Sequence, residues 1–427
     1  MIPASLSLEQ APPLSAPLRF FLTAPLYLVA AGALLAFDGP EALGTRWGPA
    51  TLALTHLLAL GFAAQVMFGA ALQVLPVVAG APVPRVHAVA TVAHLGLNLG
   101  TPLLAAGFLA GQPWLLQLAT APLAIGLGTL AIAATLALAR ARGVRSATRT
   151  GLQLAFGGLA VTLALGVLLA LTLGGIVQLA LLPLVAAHVA WGFVGWMLAL
   201  VAAVAYQVVP MFQVTPPYPA RAARWLLPTL FVTLALRTLA GWAGLPAIAT
   251  ASLDGLLAAL ALGFAAMTLW LQQRRRRRIA DVTVQFWRFG MACLAAAALL
   301  HSVAAAHAPL GEQPRLALAF GLLALPGFAV AVISGMIYRI VPFLMWFHAR
   351  ARAGAGAPRG IQAIITPAAA RGHLFLHLAG CALLGGALFR PAALALPAGL
   401  LLAASGAWLA RNVFGAVRYG PAGRSAA

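Results

Sequence analysis

The chain has 427 residues, 63% of them hydrophobic and only 7% charged, with a formal net charge of +20 and a mean hydropathy of +0.99. A soluble domain carries about 25% charged residues, so the composition excludes a water-soluble globular protein and predicts an all-α, polytopic transmembrane bundle in the lipid bilayer. The positive charge does not mark a nucleic-acid surface: the arginines fall between apolar blocks rather than along one face, and no nucleic-acid partner is expected.

The opening stretch, MIPASLSLEQAPPLSAPLRF, holds one Arg and no small-residue cleavage site, so no removable signal peptide is expected. A crossing helix needs about 20 apolar residues. Such runs occur twelve times, near 18–37, 50–79, 87–110, 113–139, 151–173, 180–212, 225–243, 249–272, 285–307, 315–347, 372–390 and 393–411. The second, sixth and tenth are long enough to tilt, kink or project beyond the membrane.

Alternate loops carry Arg85, then Arg140, Arg142, Arg145 and Arg149, then Arg221 and Arg224, then Arg274 to Arg278, then Arg350, Arg352, Arg359 and Arg371. The tail adds Arg411, Arg418 and Arg424, whereas the opposite loops hold only Asp38, Glu41, Arg46, Glu312, Arg315 and Arg390. The positive-inside bias therefore predicts that both termini are cytoplasmic, in a bacterial inner membrane. The run of five Arg reads as a topology anchor at the headgroups.

The second, sixth and tenth spans end alike, in LQVLP, YQVVP and YRIVP, with prolines at Pro76, Pro210 and Pro342. These lie 134 (210 − 76) and 132 (342 − 210) residues apart, a period of four spans. Gly61-Phe62, Gly195-Trp196 and Gly327-Phe328 stand at one shared offset before them. A single membrane domain, 1–427, built from repeats near 17–140, 150–278 and 284–411 is expected. In each, a glycine allows close helix packing. The proline either frees a carbonyl within the helix or simply ends it, with Gln73, Gln207 or Arg339 three residues ahead to occupy the opening.

Nine histidines outnumber six carboxylates, and an ionisable residue at membrane depth is a functional-site hypothesis. His56, His188, His301 and His307 are predicted to share the outer half, where single imidazoles on separate helices can hold a metal or haem; hydrogen bonds to backbone are the alternative. His56 and His188 precede their prolines by 20 and 22 residues, a turn of about 200° on a helix, so they are not equivalent without a bulge and can serve different ligands; a haem would take His56 with one of His188, His301 or His307. Toward the cytoplasmic half, His373 and His377 share one face of a helix, a spacing that suits a metal or an interface. His87, His94 and His348 read as core or interfacial residues. Arg237 and Asp254 are placed to pair; alternatively Arg237 or Arg390 neutralises a haem propionate. Cys293 and Cys381 lie in apolar runs and read as core. No phosphate-binding loop, dinucleotide fingerprint or zinc-protease motif is present.

Twelve spans in three pseudo-symmetric arcs of four, with a histidine on the second helix of the first two, resemble subunit I of the haem-copper oxidases and nitric oxide reductases. The H…GF…QVxP pattern of spans two and six is similar to their metal-bearing helices, and HLLALGFAAQVMFGA also resembles the NnrS family. The resemblance implies a haem cofactor, with copper as a second, a respiratory or nitric-oxide-related role, and a redox partner protein. It puts His56 at the low-spin haem ligand position and His188 at the copper-ligand position. The tenth span lacks the family's two histidines before His348, and the seventh lacks the paired HH. This implies that the standard binuclear reductase centre is missing, with His301 or His307 substituting as axial ligand. If the chain is an enzyme, it is a membrane oxidoreductase. A transporter for a metal ion or small solute and a cofactor-free accessory subunit are the alternatives.

Overall fold

A computed structural model describes residues 8–142, 146–276, 281–307, 309, 313–353 and 360–418. Arg145, Arg277, Arg278, Glu312, Arg359, Arg424 and the first seven residues of the opening stretch lie outside the described residues. Among the described residues there are twelve long helices and no strand. They are α1 (Ser15–Asp38), α2 (Pro49–Val77), α3 (Val86–Ala110), α4 (Pro113–Arg140), α5 (Ala147–Leu173) and α6 (Leu181–Gln213), followed by α7 (Ala220–Trp242), α8 (Ala247–Gln273), α9 (Val282–Ala306), α10 (Pro314–Arg350), α11 (Pro367–Ala387) and α12 (Pro391–Val417).

Each apolar run of the sequence thus becomes one helix. The helices extend past their apolar runs where the added residues include Arg140, Arg221 and Arg224, whose stems can lie along apolar surface while the charge reaches water. Eleven helices are long and apolar enough to cross a membrane. α11 falls outside that set because Arg371, His373 and His377 lower its hydropathy; it nevertheless packs along α12 in the same bundle. Isoleucines and leucines on the outward faces, such as Ile125, Ile132, Leu236 and Leu400, are exposed, as a lipid-facing surface requires. The protein is a multi-pass helical membrane protein.

Taken in fours, the helices repeat their contacts. The first of each group (α1, α5, α9) packs on the second (α2, α6, α10) and on the last helix of another group (α12, α4, α8), so α1 and α12 close a ring. Small residues set the first contact. Gly69 of α2 lies against Pro17 and Phe20 of α1, and Gly335 of α10 against Thr283 and Phe286 of α9, each partner displaced by 266 residues. In the middle group the glycine has crossed to the other helix: Gly151 of α5 meets Ala203 of α6.

α2, α6 and α10 each contain eight residues of π-helix, at Leu57–Ala64, Trp191–Leu198 and Leu323–Val330. Each begins 19 residues before its proline, and the shared glycine is its fifth residue. The prolines lie inside the helices instead of ending them. A π stretch widens the turn and loosens the backbone ladder, a cost found mostly at functional sites. Between the lower halves of α2, α6 and α10 lies a cavity of about 150 Å³ walled by residues such as Val66, Val204, Met336 and Phe343. Gln73 and the Trp287 indole supply its polar groups among the described residues, and neither the Gln73 amide nitrogen nor the Trp287 Nε1 has a hydrogen-bond partner.

Arg339 does not occupy space freed by Pro342; it pairs with Asp281 at the start of α9. The same carboxylate caps α9, accepting from the Thr283 N–H at 3.0 Å. Asp281→Ala removes a cap and leaves a partly buried guanidinium unpaired, so it is expected to lower stability by about 3 kcal/mol, read by reversible unfolding in mixed micelles. Asp281→Asn, which keeps the cap, should lose less.

Candidate functional site

His56 is the last α-helical residue of α2 before its π stretch, and His188 stands three residues ahead of the π stretch of α6. The two rings face each other across these helices, with centroids 6.5 Å apart and planes inclined by 21°. The two-residue difference in their offsets, which argued for separate ligands, does not keep the two rings apart.

Both rings are held by backbone. His56 Nδ1 lies 2.8 Å from the Leu52 carbonyl one turn earlier, and His188 Nδ1 lies 3.1 Å from the Thr162 carbonyl of α5. A carbonyl only accepts, so in the neutral rings Nδ1 carries the proton and Nε2 keeps its lone pair. That is the arrangement of a metal-ligating histidine with its second hydrogen bond made. Gly166 gives His188 room: a Cβ there would come within 3.1 Å of the His188 Cε1. Phe108 of α3 covers His56, with ring centroids 5.2 Å apart.

The separation suits one shared ion. With metal–nitrogen bonds of about 2.0 Å and the ring centre about 1.1 Å behind the nitrogen, two imidazoles on opposite sides of one metal have centroids about 6.2 Å apart. By separation and donor type, His56 and His188 are the residues that would hold a haem iron or a copper ion.

The other two outer histidines stand elsewhere. His301 faces Asp254, with Nε2 3.6 Å from Oδ1, and packs on Phe320. His307 caps α9 and is exposed. Four converging imidazoles therefore become a pair. Arg237 is committed to Asp254 through a 2.8 Å hydrogen bond, which is the pairing its position on α7 opposite α8 allowed, and this removes it as a propionate partner. Arg390 is exposed at the start of α12. Among the described residues, no three His, Cys, Asp or Glu side chains converge on one metal position.

Toward the arginine-rich end, His94 bonds Thr23 at 3.2 Å and meets Phe20 edge-on. His87 is exposed, and His348 packs on Phe347. The buried inner pair is His373 and His377. Sequence reasoning missed the π stretches altogether; the recurrent glycine–aromatic pair was their only trace. No protein-family model matches the chain, and no curated protein is similar to it.

Proposed function

We propose that this chain is a haem-binding integral membrane protein of the haem-copper oxidase type, with His56 and His188 as the two axial ligands of one iron, in a respiratory or nitric-oxide-related electron-transfer role. The facing pair with both Nδ1 atoms anchored and both Nε2 atoms free carries this reading. A haem bound there supplies the redox chemistry. The chain's part is to orient the imidazoles through Leu52 and Thr162 and to shield His56 with Phe108. If His56 and His188 both held the iron, the chain's own ligands would leave little room for a gas at it, which favours electron transfer to a partner protein over oxygen or nitric oxide reduction. A copper ion uses the same two nitrogens and is the second occupant this site accommodates.

A transporter has less support. The cavity among α2, α6 and α10 is walled by apolar side chains apart from Gln73 and the Trp287 indole among the described residues, so it offers an ion few ligands. The test is an absorption spectrum with iron and copper analysis on protein purified after haem supplementation. A Soret band with near-stoichiometric iron supports haem, copper without a Soret band selects the second occupant, and neither metal sinks the reading.

The arginine bias supports a bacterial inner-membrane protein with both termini on the cytoplasmic side. Both native cysteines are buried, so an engineered one is read without background. Arg142→Cys is expected to react with a membrane-impermeant maleimide in inside-out vesicles and Glu41→Cys in right-side-out cells. The reverse pattern would invert the topology.

A further inference from the structure

α11 carries a second imidazole pair that the proposed haem site does not use. His373 and His377 are one turn apart and only 0% and 1% exposed. Their ring centroids lie 6.2 Å apart, enclosed by Phe286, Phe289 and Tyr338. Only one of their four ring nitrogens has a strong partner: His377 Nε2 lies 3.1 Å from the Pro326 carbonyl in the π stretch of α10. His377 Nδ1 and both nitrogens of His373 have none. Buried polar atoms left this way call for an occupant.

The Pro326 carbonyl fixes the proton of His377 on Nε2 and leaves the Nδ1 lone pair free, as a backbone carbonyl does for ligating imidazoles. Cys381 continues the same helix face one turn further, with its Sγ 3.7 Å from His377 Nε2. Cys293 of α9 packs on Gly327, the neighbour of Pro326. Cys381 thus stands on the proton-bearing side of the His377 ring, and the free donors are imidazole nitrogens. The carboxylates of α8 and α9, Asp254 and Asp281, are engaged by Arg237 and Arg339.

The donor count and the charge select the metal. Structural Zn²⁺ takes four ligands, and no three candidate groups converge among the described residues. A divalent charge in so apolar a setting would stand uncompensated. A monovalent, soft ion tolerates two imidazole donors and carries the smaller charge into this apolar setting. We propose that His373 and His377 bind a Cu(I) ion through the free His377 Nδ1 and a nitrogen of His373. This site is independent of the haem reading and uses none of its residues.

The test is made on full-length protein carrying His56→Ala, so that copper between α2 and α6 does not contribute. Anaerobic titration with Cu(I) against a chromophoric Cu(I) chelator is expected to show about one equivalent bound. Adding His373→Leu or His377→Leu should weaken binding at least tenfold. Leucine keeps the helix and most of the volume; where such a variant does not elute as folded protein, His373→Gln takes its place. Cu(I) should also raise the unfolding temperature of the His56→Ala protein and leave that of the added His373 variant unchanged. The proposal is overturned if the His56→Ala protein leaves all copper with the chelator, if the His373 variant binds as tightly as its parent, or if copper shifts both unfolding temperatures equally.

Discussion

Alanine at His56 or at His188 is expected to abolish stable haem binding, with affinity falling by more than about 100-fold, since even a lost partner of a ligand typically costs 10–100-fold. The reason is geometric. In the proposed site each imidazole would supply one of the two nitrogens that hold the iron, and among the described residues no third histidine stands behind either to replace it. His301 is turned to Asp254, and His307 is exposed at the end of α9. His301→Ala and His307→Ala should therefore leave the Soret band unchanged. That contrast separates the pair from a general effect of removing outer histidines. Gly166→Val tests the support of the ligand: its side chain would press on the His188 ring and should lower haem occupancy while both ligands remain. Wild-type spectra from both His56→Ala and His188→Ala would end the haem assignment.

Two adjacent glycines of α5 give the second large expectation. A Cβ on Gly158 would run into the Gly195 carbonyl of α6, inside the π stretch, whereas a Cβ on Gly157 meets nothing within 4 Å. Gly158→Val forces two backbones apart where no side chain can yield, so a loss of about 4 kcal/mol or more is expected. It should appear as poor recovery and early unfolding in detergent. Gly157→Val faces the lipid side and should stay within about 0.5 kcal/mol of wild type. Equal behaviour of the two would mean that α5 and α6 do not cross at Gly158 and Gly195. It would also put the placement of His188 in doubt, because Thr162 and Gly166 lie on the same face of α5 one and two turns on.

The twelve helices, their order and the three prolines were legible in the sequence because hydrocarbon leaves little choice: an apolar run of this length must satisfy its backbone internally. The shared spacing of Gly61, Gly195 and Gly327 before Pro76, Pro210 and Pro342 even marked where the helices are irregular. It could not say that the irregularity is a π stretch, because helix type depends on which neighbour accommodates the widened turn. The histidines show the same limit. Counting offsets gave the 200° difference between His56 and His188, and read along one helix that difference meant separation.

Thus the chain alone determined the membrane environment, the helix count and the residues able to hold a cofactor, since these follow from composition and from distances along one helix. Which imidazoles meet was decided only by the tertiary arrangement. Rotation of α6 relative to α2 turns a mismatch in register into a facing pair, packing of α9 on α8 hands His301 to Asp254, and the Pro326 carbonyl of α10 reaches a histidine 51 residues away. Such contacts between helices depend on relative rotation and tilt, and no spacing within a single helix encodes either.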